Sequence, residues 1–153
     1  SIFNNSLLRW QCFLARILFP EGVPFDGSIL EEKLDGVLRS DGYWKYKLKS
    51  KNVKLIRIKD CDIAIKFDVS LGVGDANYDT QKDLRGVISR LKILCFFCGI
   101  NRIVFYTSPK TKLDRDLSKI GKSKEGLPIG FVSFVDEVDM SKLKFSYLDM
   151  DTY

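Results

Sequence analysis

Histidine is absent from this sequence. Its absence excludes the Ser-His and Cys-His nucleophilic systems and every zinc site that has a histidine ligand. Any catalysis has to use Asp, Glu, Tyr, Lys, Cys, Ser or backbone amides instead. The commonest general base of enzymes is therefore removed before any motif is considered.

Long apolar runs are also absent, since no segment reaches the roughly 18 to 20 residues of a membrane-spanning helix. The segment LLRWQCFLARILF (7–19) comes closest, but it carries Arg9 and Arg16 on one helical face. We therefore expect no membrane span and a helix over about 6–18 that is buried on most sides, with an interfacial membrane anchor as the weaker alternative. No signal peptide is recognisable, which favours a cytoplasmic protein, although the opening Ser allows for a further N-terminal element.

Cysteine is scarce, with four residues at positions 12, 61, 95 and 98. A disulfide scaffold is not expected in a chain of this length whose cysteines lie mostly in apolar segments. The CFFC segment (95–98) is a CxxC motif at the end of a helical pattern, whereas redox motifs need the helix start to lower the thiol pKa. A zinc site needs two more ligands at pair spacing, which Cys12 and Cys61 do not provide. We expect no metal site and free thiols packed in the core.

The remaining composition is that of one globular domain over residues 1–153, with 45% hydrophobic and 29% charged residues. The apolar period is helical in SILEEKLDGVLRS (28–40), which Ser28 caps, and it changes to a strand period in the middle of the chain. That middle predicts a half-buried antiparallel meander. Its three strands are expected at about 43–49, 53–59 and 62–71.

The second half of the chain alternates helices and strands. A long helix over 80–98 is followed by the apolar strand NRIVFYTSP, so the segment 71–101 implies a right-handed crossover between parallel neighbours. The short helix KTKLDRDLSKIG and two strands, LPIGFVSFV (127–135) and LKFSYLDMDTY (143–153), follow. The order α-α-β-β-β-α-β-α-β-β predicts an α/β, or α+β layered, domain with a mixed, mainly antiparallel sheet flanked by helices.

The stretch SLGVGDANYDTQKDLRG (70–86) raises the question of a phosphate-binding loop. Gly72 and Gly74 would let the backbone approach a ligand closely, and a helix start binds anions through its free N–H groups. However, neither GxGxxG nor GxxxxGK[ST] is present, and three aspartates place negative charge where a phosphate would lie. Thr80 and Asp83 fit a capping box. On its own, the stretch favours a capped strand-to-helix turn over a phosphate site.

The segment 43–59 carries seven Lys or Arg residues and no acid, in a chain of net charge +5. Such a face could bind nucleic acid or another polyanion. In the expected first strand, Lys45, Lys47 and Lys49 share one face, while the aromatic residues between them fall on the other. Because lysines along one face also protect an exposed strand from aggregation, nucleic-acid binding is the weaker interpretation.

Two further sites are suggested only by position. Asp149 and Asp151 share one face of the expected last strand, a spacing compatible with a metal or an acid/base pair. Tyr106 and Ser108 lie at the C-terminal end of a buried strand, where ligand sites gather in open sheets. A solvated strand end is the simpler account of both.

Taken in this order, the elements resemble the GNAT acyl-CoA N-acyltransferase fold. The run from the expected strand at 62–71 through NRIVFYTSP, KTKLDRDLSKIG and LPIGFVSF to the final strand is similar to the C-terminal half of that fold. The likeness covers nearly the whole chain except the family's first strand. It implies an N-acyltransferase that moves an acyl group from acetyl-CoA or another acyl-CoA to the amine of a small-molecule or other acceptor.

The resemblance also implies a cofactor site. In the family, pantetheine lies along the fourth strand, and the pyrophosphate meets amides of the following loop and helix start. Carried over to this sequence, the acyl-CoA contacts are Leu71, Gly72, Val73, Gly74, Asp79, Thr80, Gln81 and Lys82. The family's loop signature is missing from DANYDTQKDLRG, and Lys110 and Leu117 stand where the family's next helix often carries an Asn and the general-acid Tyr.

No catalytic base is assigned by the sequence, because Asp68, Asp149 and Asp151 are candidates only by position. Two other function classes stay open. One is a non-catalytic GNAT-like binding or interaction module, which could be one part of a larger acyltransferase with a neighbouring domain. The other is a basic nucleic-acid-binding domain that uses the 43–59 face.

Overall fold

The computed structural model describes residues 2–26, 35–37, 39–122, 124 and 142–149. Its helices are α1 (Ile2–Leu18), α2 (Asp41–Lys47), α3 (Gln81–Cys98) and α4 (Lys112–Ser118). Its strands are β1 (Asp35–Gly36), β2 (Val53–Ile58), β3 (Cys61–Phe67), β4 (Leu71–Asn77), β5 (Ile103–Phe105) and β6 (Leu143–Lys144), and a 3-10 turn follows at Tyr147–Asp149. The expected strand at 127–135 and most of the expected helix at 28–40 lie outside the described residues. The described part of that helix is not helical, since Asp35–Gly36 form β1.

The described strands form a four-stranded sheet in the order β2-β3-β4-β5. β2, β3 and β4 are an antiparallel meander, and β5 runs parallel to β4 after the crossover through α3. β1 and β6 pair as a separate parallel two-stranded sheet. The mixed sheet, the layered α+β class and the crossover through 71–101 are therefore as the sequence predicts.

The structure corrects the boundaries of the predicted meander. Residues 41–47 form α2, not a strand, because the Ser40 side chain caps the turn by accepting a hydrogen bond from the Tyr43 amide. Trp44 is buried, whereas Tyr46, which a strand would place on the same face as Trp44, is half exposed, so the burial follows a helical face. The expected strand at 62–71 ends at Phe67 as β3, and the stretch after it, which the sequence indicates as a turn, contains a further strand, β4 at Leu71–Asn77.

The sheet separates two apolar clusters. The larger one lies under α1, α3 and α4 and receives the alternate side chains Ile63, Ile65 and Phe67 of β3. The smaller one, on the opposite face, gathers Ala64 and residues from α2 and the C-terminal turn. Its buried members are Phe25, Trp44, Val53, Leu55, Ala64 and Leu148.

Helix α3 is the element whose ends the sequence predicts best. Thr80 is its N-cap, and Gly99 ends it in the left-handed conformation at φ 67°. Helix α1 begins at Ile2, several residues before the expected start, and ends at Leu18 as expected. Among the residues that the structure describes, no helix is both long and apolar enough to cross a membrane.

The C-terminal strand is shorter than predicted. Of the described residues 143–149 in the expected strand 143–153, only Leu143–Lys144 form a strand, and Ser146 makes a single antiparallel bridge to Thr107. Asp149 closes a 3-10 turn, so it does not lie on a strand face, and Asp151 lies outside the described residues. Side chains of this turn pack on the face of β4, which is where the candidate site begins.

Candidate functional site

Strand β4 contains a β-bulge at Gly74. Ala64 of β3 pairs with Asp75, and the next residue, Ile65, pairs with Val73, so Gly74 has no partner in the ladder. A bulge bends its strand and changes the direction of the backbone groups around it. Since bulges are common beside functional sites, the bulged half of β4 is a candidate position for one.

The two glycines of β4 have a packing explanation. A Cβ at Gly72 would lie 2.2 Å from Tyr147 Cε1, and a Cβ at Gly74 would lie 2.9 Å from Leu148 Cβ. The C-terminal turn therefore covers the side of β4 on which a Cβ of either glycine would lie. A group does approach the backbone of β4 closely at these glycines, as the sequence indicates. That group is the protein's own C-terminal turn and not a ligand.

The pairing of β4 with β5 stops partway along β4, and we call the edge of β4 beyond Val73 the opening. The parallel ladder has three residue pairs, from Leu71↔Ile103 to Val73↔Phe105. β5 ends at that point, whereas β4 continues to Asn77. Residues 75–77 are thus paired with β3 on one edge and lie beyond the end of the β5 ladder on the other.

Lys112 stands at the connection from β4 to α3. Its ammonium group donates a 2.6 Å hydrogen bond to the carbonyl oxygen of Tyr78 and lies 4.5 Å from the centre of the Tyr78 ring. The Tyr78 hydroxyl donates to Asp116 at 3.0 Å. Helix α4 is in this way fastened to the end of β4, and a cation is held beside the start of α3.

The start of α3 is closed by a capping box. The Thr80 amide donates to Asp83 Oδ2 at 2.9 Å, and the Asp83 amide donates to Thr80 Oγ1 at 3.3 Å. The Thr80 hydroxyl also donates to Asp83 Oδ2 at 2.6 Å, and this bond, together with the one from the Thr80 amide, holds the pKa of the Asp83 carboxyl below its usual value. Two of the first amides of the helix are therefore already satisfied by the protein.

The side-chain amide nitrogen of Gln81 is buried and has no hydrogen-bond partner among the described residues. Gln81 is the first residue of α3 and lies next to the capping box. A buried donor without an acceptor costs roughly 1–3 kcal/mol, so such a group is a candidate for contact with a ligand oxygen. Of the eight residues implied by the resemblance, Gln81 has the clearest unmet requirement.

A buried charge network lies on the covered face of β4. The Arg39 guanidinium forms ion pairs with Asp75 and with Asp149, the latter at 2.9 Å, and all three side chains are fully buried. Arg39 also donates to Ser146 Oγ at 2.8 Å, and the Tyr43 hydroxyl donates to Asp149 at 2.7 Å. The network joins the segment before α2, strand β4 and the C-terminal turn.

The surroundings in this network keep Arg39 charged and Tyr43 neutral. Burial disfavours the charged form of Arg39, but the adjacent carboxylates of Asp75 and Asp149 outweigh it and raise the pKa of the guanidinium. Burial, with the Asp149 charge, raises the pKa of the Tyr43 phenol well above its usual range. Arg39 is therefore a permanent cation, and Tyr43 acts as a neutral donor.

Of the three positional candidates for a catalytic base, the structure describes Asp68 and Asp149. Asp149 is enclosed in the buried network, where Arg39 and Tyr43 use its oxygens. Asp68 is exposed in the turn before β4, and Asp151 lies outside the described residues. Neither of the two described carboxylates is therefore placed at the opening as a free base.

Tyr106 and Ser108 serve the C-terminal segment. Ser108 Oγ accepts a 2.7 Å hydrogen bond from the Phe145 amide, and the Ser108 amide donates to the Phe145 carbonyl at 3.0 Å. The Tyr106 ring packs against Tyr147 with ring centres 5.0 Å apart. Their described contacts are therefore structural.

The predicted basic strand face does not exist, because Lys45 and Lys47 belong to α2 and Lys49 follows it. Lys47 is half-buried, with its ammonium 5.6 Å from the centre of the Tyr43 ring. The alternation that placed three lysines together on a strand is thus lost. The nucleic-acid interpretation loses the geometry on which it rested.

The cysteines are free thiols, as predicted. Cys95 and Cys98 are buried in the main core, and this burial raises the pKa of each to about 11. Within the described part of the chain, no group of three or more His, Cys, Asp or Glu residues is placed to hold a metal ion.

Sequence reasoning missed Arg39, Tyr43 and Lys112. Arg39 meets partners 36, 107 and 110 positions away in the chain, so no local pattern marks it. The one local signal near Lys112 is Thr111, which caps α4 and so places the lysine at the first helical position.

No family model matches this chain, and neither a curated protein nor a solved structure is significantly similar to it.

Proposed function

We propose that the opening between β4 and β5 binds an acyl-CoA, and that the domain transfers its acyl group to an amine. The observation that carries this proposal is the end of the parallel ladder at Val73↔Phe105, while β4 continues to Asn77. Backbone groups of β4 beyond that pair can be satisfied by a ligand that supplies amides in place of a strand. The pantetheine arm of CoA is an extended chain with two such amides.

The pyrophosphate end of CoA fits the start of α3. The amides at 81–82 and the Gln81 side chain are donors, and a helix start favours anions. Lys112 and Lys82 add positive charge near the same connection. The capping box withdraws the Thr80 and Asp83 amides, so the proposed phosphate contacts come from the residues between them.

The bulge at Gly74 supports the chemistry of the thioester end. A bulge changes the direction of the neighbouring N–H groups, and such a group can polarise the thioester carbonyl. The acceptor amine attacks that carbon directly in a ternary complex. The new C–N bond forms as the C–S bond breaks, and the proton lost by the amine passes through water to the CoA thiolate.

A non-catalytic acyl-CoA-binding module is the second candidate. It is favoured by the enclosure of Asp75 and Asp149 in the network around Arg39, which takes both carboxylates away from the opening. The two candidates share the binding site and differ in turnover. Release of CoA thiol from acetyl-CoA in the presence of an amine panel would establish the transferase, and tight binding without release would establish the module.

Calorimetric titration with CoA tests the shared binding site. Gln81→Met removes a buried donor that has no described partner, so we expect unchanged or higher stability. The same change should weaken CoA binding about tenfold, because a hydrogen bond to a charged phosphate is lost.

Lys112→Gln should also weaken CoA binding about tenfold, and Lys122→Gln, an exposed charge change beyond α4, is the matched control. Absence of binding to the unmodified protein at millimolar CoA would refute the proposal. If the Gln81, Lys112 and Lys122 variants bound CoA with equal affinity, CoA would have to bind at another site.

A further inference from the structure

A groove of about 720 Å³ lies between α1 and the edge strand β2. Its volume is within the range of small-molecule sites, roughly 300–1,000 Å³. In the sheet order, β3 separates β2 from β4, so the groove is distinct from the opening described above. We propose that it binds an anionic amphiphile with one aliphatic chain, of the class of a long-chain fatty acid. This inference does not depend on the proposed function.

The walls of the groove are apolar. Leu8 and Phe13 of α1, Phe19 just beyond it and Leu48 after α2 are among its lining residues. Phe13 is half exposed and belongs equally to an outward stripe of α1 that includes Trp10 and Ile17. An aliphatic chain placed in the groove would remove this surface from water.

The rim of the groove is cationic. Arg9, Arg16, Lys51 and Lys54 line it, against the single acid Glu21. Arg9 and Arg16 lie seven residues apart, on the same side of α1, and Lys51 and Lys54 approach from the β2 side. Four cations above an apolar floor match a ligand with one anionic end and one hydrocarbon end.

The outer edge of β2 is already occupied, which disfavours an added peptide strand. The Gly22 amide donates to the Leu55 carbonyl at 3.1 Å, and the Arg57 amide donates to the Pro20 carbonyl at 2.8 Å. The Val53 amide bonds to Ser50 at 3.2 Å. The outward backbone groups that a peptide would need are therefore largely used, whereas the side-chain floor remains for a hydrocarbon chain.

Cys12 supplies a direct readout of occupancy. It lines the groove and is half-buried, whereas the other three cysteines are 4–5% exposed. N-ethylmaleimide should therefore modify Cys12 first. A ligand in the groove should slow that reaction.

The experiment measures the alkylation rate of Cys12, located by peptide mapping, with sodium dodecanoate below its micellar concentration or with dodecanol. Dodecanoate at about ten times its Kd should slow alkylation about tenfold, because only the unoccupied fraction reacts. Dodecanol should bind at least about tenfold more weakly, since it cannot pair with the cationic rim.

A pair of double variants tests the rim. Arg9→Gln with Arg16→Gln should weaken dodecanoate binding about tenfold or more. Arg90→Gln with Lys92→Gln, the same charge change on the exposed side of α3, should leave it within about twofold. All four side chains are exposed, so both double variants should fold.

The proposal is overturned if dodecanoate does not slow alkylation, if dodecanol protects equally well, or if the two double variants behave alike. Binding to phosphatidylglycerol vesicles without protection by monomeric dodecanoate would also overturn it, and would assign this face to a membrane surface instead.

Discussion

At Gly72 and Gly74 the backbone of β4 comes within contact distance of the C-terminal turn. The rings and methyl groups of Tyr147 and Leu148 occupy the space that a Cβ would need. These glycines are thus required by packing within the chain, which the sequence pattern alone does not distinguish from close approach to a phosphate. The site proposal depends on the bulge and the strand ends, and not on the presence of glycine.

Gly72→Ala should lower the free energy of unfolding by about 1–3 kcal/mol, because the new methyl group overlaps the Tyr147 ring. Urea unfolding measures this loss. Gly121→Ala is the matched control, since nothing lies within 4 Å of a Cβ there. Gly72→Ala combined with Tyr147→Ala should recover part of the loss that each change causes alone. Full additivity of the two changes would contradict the described contact.

At the scale of the element, the start of α3 is the best-defined feature near the site. Its capping box uses the Thr80 hydroxyl and the Asp83 carboxylate together. The box orders the connection from β4, and it leaves the amides at 81–82 at the end of the helix. Helix order and ligand binding are therefore expected to be coupled at this end.

Thr80→Ala should cost about 1 kcal/mol of unfolding free energy, the usual loss for an N-cap residue. Ser89→Ala, which removes a hydroxyl within the same helix, should cost less, because Ala is the better helix former at an interior position. Chemical denaturation of the two variants makes the comparison. Equal losses would show that the cap does not stabilise α3.

The cap also predicts a pH dependence. Because the folded pKa of Asp83 is lowered by its hydrogen bonds to Thr80, its contribution is present above the unfolded pKa and is lost as pH falls through the folded pKa. Thr80→Ala should therefore show a smaller loss of stability on acidification below about pH 4 than the unmodified protein. If both proteins lost the same stability on acidification, the role given to the Thr80–Asp83 hydrogen bonds would be contradicted.

Elements with a long apolar period could be predicted from the sequence, and α3 with its two caps is the clearest example. The sequence predicts β2 and β3 as antiparallel strands, but it indicates a turn where β4 lies, since Gly72 and Gly74 follow Leu71 closely. It predicts a strand at 43–49 in place of α2, because Trp44, Tyr46 and Leu48 alternate with lysines there. Short elements are decided by tertiary contacts, which a local pattern does not contain.

The candidate site was predictable only in part. Residues 71–74 and 79–82 were named in advance, and the structure places them along β4 and at the start of α3. The bulge at Gly74 and the buried donor of Gln81 depend on pairing and burial. Neither property is encoded in the local sequence, so only the folded arrangement reveals them.

For the whole molecule, the Arg39 network is the main tie between distant parts of the chain. It brings together the segment before α2, β4 and the C-terminal turn through Asp75, Asp149 and Ser146. Removing one partner of a buried pair leaves the other charges without compensation, which costs far more than the pair itself contributes. The network therefore fixes the position of the turn that covers β4.

Arg39→Met should lower the unfolding free energy by about 3–5 kcal/mol, because Asp75 and Asp149 then remain buried without a cation. Arg57→Met is the control. Arg57 is part-exposed, and Asp62 keeps a hydrogen bond from the Val23 amide, so a clearly smaller loss than for Arg39→Met is expected. Urea denaturation compares the two. Similar losses would contradict the buried position of Arg39.

Amide hydrogen exchange with and without CoA tests the central claim most directly, because it reports where on the molecule the ligand binds. Saturating CoA should slow exchange about tenfold or more at 74–77 and 81–82, and it should leave Val53–Ile58 of β2 unchanged. Protection confined to α1 and β2, or no protection anywhere, would contradict the assignment of an acyl-CoA site to the opening between β4 and β5.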